Sequence, residues 1–226
     1  EIKDLSQKWW EAYGNASDRK YTEWRISQIL ESRVRELAQN PLLLTAMLLV
    51  QLRYNRLPAQ LPSLYNSALE ALLEGERRTP LPSASSPDEI IRFLSCVALN
   101  MTPQNEVSIS ETELRSILRE LWEKRPDLIQ RTDSEDAFLQ SFFRYLDEES
   151  AILRPVDSFS TGDSSVRKYE FQYRSFQNYL AALAAAEFYY PDYTEKELPG
   201  HKLEPYLTTE YWKDMQGVIG LASLIS

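Results

Sequence analysis

Residues 169–190 read YEFQYRSFQNYLAALAAAEFYY, and a change of period inside this stretch decides the fold. Over its first part, Val166, Lys168, Glu170 and Gln172 alternate with Arg167, Tyr169, Phe171 and Tyr173. Period two is that of a strand with one buried face, so a strand is expected over 167–173. From Ser175 to about Tyr189 the pattern becomes helical, with Phe171, Phe176 and Tyr179 expected in the core. Gln172, Arg174 and Gln177 sit among these aromatics. They belong either to a packed strand-to-helix turn or to a ligand contact.

Working outward, Ala151–Val156 reads as a second strand and the polar run 157–165 as the loop joining the two. Three helices precede this hairpin. The first covers about 88–101, with Ile90, Ile91, Leu94, Val97, Ala98 and Met101 on its apolar face. The second runs from Ser110 to about Trp122. Ser110 with Glu113 fits a capping box, in which hydroxyl and carboxylate satisfy each other's backbone N–H groups. The third covers about 134–147 and turns Phe138, Leu139, Phe142, Phe143 and Leu146 to the core. Three helices followed by a two-stranded hairpin is the plan of a winged helix.

Before residue 79 the pattern is helical throughout. Residues 21–38 predict one or two amphipathic helices with Trp24, Ile26, Ile29, Leu30, Val34 and Leu37 as apolar positions. Asn40-Pro41 breaks this pattern. Proline suits the first turn of a helix and disrupts its interior, so a new helix should open at Pro41 and reach about Arg53. Leu42 to Val50 is apolar nearly all round, which predicts burial. A further helix is expected over 61–77, on the stripe Leu64, Tyr65, Ala68, Leu69, Leu72 and Leu73. The stretch TPLPSASSPD, 79–88, carries three prolines and three serines and reads as a linker and hinge candidate. The fold class is therefore mainly α: a helical domain at 1–78, a linker at 79–88, a winged-helix domain at 89–190, and the start of a further helical domain at 191–226. That last stretch holds Pro191, Pro199 and Pro205, then an apolar helix from about Trp212.

The chain of 226 residues is long enough to bury a sizeable core. With 43% hydrophobic and 26% charged residues it has an ordinary globular balance. It begins at Glu1 and ends on an apolar run, and reads as a piece of a longer protein. Neither a signal peptide nor an apolar run of the roughly 18 residues needed for a membrane span is visible. One cysteine, Cys96, and one histidine, His201, rule out an internal disulfide and leave too few ligands for a Cys/His zinc site. Cys96 lies in an apolar run and reads as a buried thiol, compatible with a reducing compartment such as the cytoplasm.

Self-contained catalytic chemistry is missing. The sequence has no Gly-Lys dipeptide, so a phosphate-cradling GxxxxGK[ST] loop cannot occur within it. His201 lies in a Pro/Gly-containing connector and reads as a solvated residue rather than a triad base. Asp147-Glu148-Glu149 reads as the solvated end of an amphipathic helix rather than an acid/base pair. No catalytic and no metal-ligating residues are assigned. A winged helix also raises DNA binding through its third helix. Charge argues against it: the net charge is −9, and over 87–190 acidic residues outnumber basic ones by 18 to 11.

Two segments carry a family resemblance. LAQNPLLLTAMLLVQLRYNRLPAQLPSLYNSALEALL, 37–73, resembles the first helical domain of NACHT ATPases, with its Asn-Pro-Leu-Leu-Leu motif and the following Leu-Pro…Leu-Tyr helix. YEFQYRSFQNYLAALAAAEFY resembles the end of their winged-helix domain, whose pattern is Phe-x-His-x-Ser-Phe-Gln-Glu-Tyr-x-Ala-Ala. Each motif alone is moderately specific; the two in order, about 130 residues apart, are strong. The resemblance covers about 1–190, and 191–226 would open the next helical domain.

NACHT proteins are signal-transduction ATPases of the STAND class. The resemblance implies that the P-loop and its Mg lie in a nucleotide-binding domain N-terminal to this chain, and that the chain is the lid of the switch. The partners implied are that P-loop domain, sensor and effector domains, and further copies of the protein in the active oligomer; no nucleic acid and no membrane are expected. The cofactor implied is ADP or ATP in the full-length protein, with none expected for this chain alone. The motif proline that packs near the adenine carries over to Pro41. The winged-helix histidine that contacts the β-phosphate of ADP corresponds to Tyr173, and the family's Glu before Tyr to Asn178. A phenol donates one neutral hydrogen bond where an imidazolium adds charge, so the Tyr173 departure would weaken locking by ADP. Two other readings stay open: a helical interaction module with no nucleotide role, and a winged-helix DNA binder.

Overall fold

The computed structural model describes residues 2–14, 21–32, 35–39, 41–73, 86–102, 106–129, 134–148, 150–156, 167–206 and 212–225. The chain divides into two compact units, Glu1–Gly75 and Glu76–Ser226.

Among its described residues the first unit's regular elements are all helical: α1 (Ile2–Tyr13), α2 (Thr22–Glu31), a 3₁₀ turn (Arg35–Gln39), α3 (Pro41–Tyr54) and α4 (Leu61–Leu73). Pro41 opens α3 as expected, because a first-turn residue has no intrahelical N–H bond to lose. Its carbonyl accepts from Thr45 Oγ1 at 2.9 Å. The helix ends at Asn55, which adopts a left-handed φ of 59°, a conformation asparagine tolerates. Met47, Leu48 and Val50 of α3 pack among Leu64, Ala68 and Leu69 of α4, all buried. The helix α1 was not singled out in the sequence, although Ile2, Leu5, Trp9 and Tyr13 recur at helical spacing; Ser6 and Trp10, one turn apart, are its buried residues. Trp10 packs beneath Arg25, whose guanidinium lies 4.7 Å from the ring centroid. Arg25 Nη1 donates to the Gln51 carbonyl and Gln51 Nε2 to the Arg25 carbonyl, both at 2.8 Å. This reciprocal pair of side chain-to-backbone bonds ties α2 to α3.

One expectation for this unit changes, the burial of Trp24. The run 21–38 is a ten-residue helix followed by a 3₁₀ turn. Trp24, expected on the apolar stripe, is 49% exposed, whereas Ile26 and Ile29 are buried. The helix predicted over 61–77 is described as far as Leu73; 74–77, and Val34 with the Leu37 side chain, lie outside the described residues.

The second unit runs α5 (Pro87–Met101), β1 (Ser108–Ser110), α6 (Glu111–Lys124), a 3₁₀ turn (Pro126–Leu128), α7 (Glu135–Glu148), β2 (Leu153–Val156), β3 (Lys168–Phe171), α8 (Arg174–Glu187), a 3₁₀ turn (His201–Tyr206) and α9 (Trp212–Ile225). Of the predicted linker, 79–85 lie outside the described residues. Ser86 caps α5 in a capping box with Glu89, and Pro87 takes the first helical position, so 86–88 belong to the helix. The expected box at α6 is present too: Ser110 Oγ accepts from the Glu113 N–H at 3.2 Å, and Glu113 Oε2 accepts from the Ser110 N–H at 3.1 Å.

The strands form one antiparallel sheet in the order β1-β3-β2, with Ile109 opposite Tyr169 and Leu153 opposite Phe171. The hairpin is the one expected; β1 is an addition. Three residues are too few for an alternation signal, and β1 exists because β3 offers it an edge. The polar loop predicted at 157–165 lies outside the described residues. The core holds an aromatic cluster: Phe138 stacks on Trp122 at 5.0 Å and lies 4.8 Å from Phe93, and Phe143 meets Tyr169 edge-on at 5.7 Å. The helix α8 is covered by α5 and by α9. Its alanines, Ala181, Ala182, Ala184 and Ala185, are fully buried and keep the backbones close. Gly217 of α9 lies against the Asn178 amide, where an added Cβ would stand 3.5 Å from Nδ2.

Candidate functional site

The strand-to-helix turn is built around Tyr173. Strand β3 ends at Phe171, and the Gln172 N–H donates to the Ile152 carbonyl at 2.9 Å. Tyr173 then takes the N-cap position of α8 in extended conformation (φ −141°, ψ 122°). A phenol cannot fold back to cap its own helix, and no side-chain cap bond is made there. The ring instead leans edge-on against Phe176 at 6.2 Å and is 37% exposed. Phe171, Phe176 and Tyr179 are buried as expected.

Two of the three polar side chains in this stretch are committed internally. Arg174 starts α8, and its Nη1 donates to the Glu106 carbonyl at 3.0 Å and to Gln177 Oε1 at 3.2 Å. Gln177 is 2% exposed. Its Nε2 lies 3.3 Å from the Glu106 carbonyl and 3.4 Å from Thr102 Oγ1. Arg174 and Gln177 therefore lock the start of α8 onto the segment leading into β1. Gln172 is exposed. Arg174 is the first helical residue, and the helix start turns its guanidinium toward Glu106.

Pro41 lies in the first unit. It is exposed and lines a groove of about 600 Å³ with Ile2, Leu5, Leu30, Ala38 and Leu44, and with Lys3 and Gln39 as polar members. Sequence reasoning found Pro41 but missed the α1 residues Ile2, Lys3 and Leu5. Their signal was the helical spacing of Ile2, Leu5, Trp9 and Tyr13. The groove offers an apolar wall and one ammonium group, a surface suited to a flat heteroaromatic or to an apolar side chain. Tyr173, in the second unit, offers one neutral O–H donor.

Other residues weighed for chemistry have structural roles. Cys96 is fully buried, and burial pushes its thiol up to about 12, far from the thiolate range of a nucleophile. His201 is half-exposed beside Glu204, with Nδ1 3.4 Å from the carboxylate. Asp147 was expected on a solvated helix end. It is instead a tie, accepting from the Tyr169 hydroxyl at 3.0 Å and pairing with Arg167 at 2.9 Å. The cause is β3, which brings both partners to the end of α7. Burial and the Asp147 bond together raise the Tyr169 hydroxyl above its ordinary range. The surface of α7 carries Glu135, Asp136 and Glu148, and Arg119 pairs with Glu135 at 3.0 Å. Among the described residues no group of three or more His, Cys, Asp or Glu side chains is arranged to hold a metal ion, and no helix is long and apolar enough to cross a membrane. Compared with protein-family models, curated proteins and solved structures, the chain matches none.

Proposed function

We propose that this chain is the regulatory lid of a NACHT-type STAND ATPase, closing over ADP held by a P-loop domain elsewhere in the same protein. The observation that carries the reading is the second unit's order. Three helices lead into an antiparallel hairpin, and the hairpin runs through Tyr173 directly into α8. That is the plan of a winged helix, and β1, between its first two helices, widens the sheet by pairing with β3. Tyr173 stands at the position of the family's phosphate-contacting histidine, with its ring partly open to solvent. In support, Pro41 stands at the first turn of α3 on the wall of an apolar groove, as an adenine-packing proline would.

Mechanistically, the ADP state is held by contacts that the ATP state lacks. Exchange of nucleotide shifts the population to an open form that exposes oligomerisation surfaces. Arg174 is engaged by Glu106 and Gln177, so the phosphate contact falls to the Tyr173 hydroxyl, a weaker donor than an imidazolium. The reading therefore expects a lid that holds ADP less tightly than a histidine-bearing one. The test is ADP binding by the full-length protein carrying Tyr173→His and Tyr173→Phe. The histidine variant should bind ADP more tightly and the phenylalanine variant less tightly. Equal affinity in all three proteins would remove Tyr173 from the site.

A further inference from the structure

The segment 188–206 follows α8 and includes the last 3₁₀ turn. Among its residues whose side chains are described, only Tyr190 and Leu203 are buried. Its first residue is strained: Phe188 ends α8 at φ 59°, ψ 38°, a left-handed conformation that bulky side chains rarely adopt. Its second hold is polar and comes from one residue. Arg125, at the end of α6 and 7% exposed, directs Nη1 to the carbonyls of Phe188 and Tyr190, the latter at 2.9 Å. Asp127 grips the same guanidinium bidentately, from Nε at 3.0 Å and Nη2 at 2.8 Å. The cation also lies 5.0 Å from the Tyr193 ring centroid, and Tyr193 packs on Phe188 at 4.6 Å.

One further backbone bond ties the segment to α8, from the Gly200 N–H to the Ala185 carbonyl at 2.8 Å, and Arg92 of α5 lies 5.9 Å from the Tyr189 ring centroid; the remaining polar bonds are internal. The Tyr190 hydroxyl donates to Glu197 at 2.7 Å, and Glu197 accepts from the Thr194 N–H and hydroxyl. Lys202 pairs with Asp192 and covers the Tyr190 ring. Thus a small loop with little buried apolar area is tied to the helices through one arginine fork, the Gly200–Ala185 backbone bond and a strained helix end. Low burial, exposed internal bonds and a strained start are the properties of a locally opening unit.

We propose that residues 188–206 are a detachable strap fastened by Arg125, whose opening loosens α9 from α8. The strap is the covalent route from α8 to α9, and α9 holds α8 through Val218, Leu221 and Ala222. The fork geometry matters: four of the five planar donors serve both Asp127 oxygens and two carbonyls at once, whereas an ammonium has three donors. The experiment is hydrogen exchange of the purified chain, read by mass spectrometry on peptides from the strap, from α9 and from α5. Arg125→Gln should speed exchange of the strap and α9 together by tenfold or more and leave α5 unchanged. Arg125→Lys should give a smaller change of the same pattern. Unchanged strap exchange in Arg125→Gln would overturn the proposal. So would exchange rising equally in α5, the strap and α9 in both variants, because Arg125 would then hold the whole unit rather than the strap.

Discussion

Gln177 shows how one residue's role changes between sequence and structure. In sequence it is a polar side chain in an aromatic run; in space it is buried, with donors and acceptor both spent on Thr102, Glu106 and Arg174. Truncating it leaves those groups without a partner in a region closed to water. Gln177→Ala should lower unfolding free energy by about 1–3 kcal/mol, read from the urea midpoint. A loss below about 0.5 kcal/mol, the range of surface substitutions, would mean that the lock is not formed in solution. Tyr173 should behave oppositely. Its hydroxyl is at the surface, so Tyr173→Phe should leave stability within about 0.5 kcal/mol of the parent while lowering ADP affinity in the full-length protein. This pair of measurements separates a residue kept for folding from one available to a ligand.

Two helices, α5 and α6, are delimited at their start by capping boxes. The α6 box combines the Ser110 hydroxyl with the Glu113 carboxylate. Ser110→Ala should cost about 1 kcal/mol at neutral pH by thermal or urea unfolding. The Ser110 hydroxyl and N–H hold the Glu113 carboxyl below its ordinary 4.5. A folded-state value below the unfolded one means that the ionised form is favoured by folding. The contribution is present above pH 4.5 and is lost as pH falls through the lower folded-state value. The stability gap between the parent and Glu113→Gln should therefore be open at pH 7 and closed in strong acid; a gap that persists there would assign it to packing. Strand β1 shows the other way an element is delimited. Ser108-Ile109-Ser110 has no strand signal of its own and forms because β3 presents unpaired backbone groups beside it.

At the scale of the whole molecule, the two units have different kinds of core. The first relies on α3 packed among helices, with the Arg25–Gln51 exchange tying α2 to α3. The second wraps an aromatic cluster with helices and a three-stranded sheet. The proposed switch belongs to the full-length protein, so its test does too. Pro41→Ala there should weaken ADP binding severalfold, and unchanged affinity would remove the clamp. The chain by itself, lacking any Gly-Lys dipeptide, should not turn over ATP. Steady hydrolysis by the purified chain would sink the lid reading. Its charge of −9 predicts no mobility shift with DNA even at low salt; a sequence-specific shift would favour the DNA-binding alternative.

Much of this fold was legible because local rules and tertiary packing agree. Pro41, the Ser110–Glu113 box, the stripe of α7 and the change of period near Tyr173 each mark an element through interactions within a few residues of sequence. What the tertiary structure decided was everything that depends on distant partners. These are the third strand, the exposure of Trp24, the burial of Gln177, the Asp147 tie to Tyr169 and Arg167, the groove wall from α1 and the Arg125 fork. Arg125 and Phe188 lie 63 positions apart, Gln177 and Thr102 lie 75 apart. A periodicity read along the chain carries no information about such pairs, because whether a polar group is solvated or spent depends on what the fold brings to it. For the phosphate contact proposed at position 173, sequence determined that a tyrosine stands there, and structure decided that its charged neighbour, Arg174, is already taken.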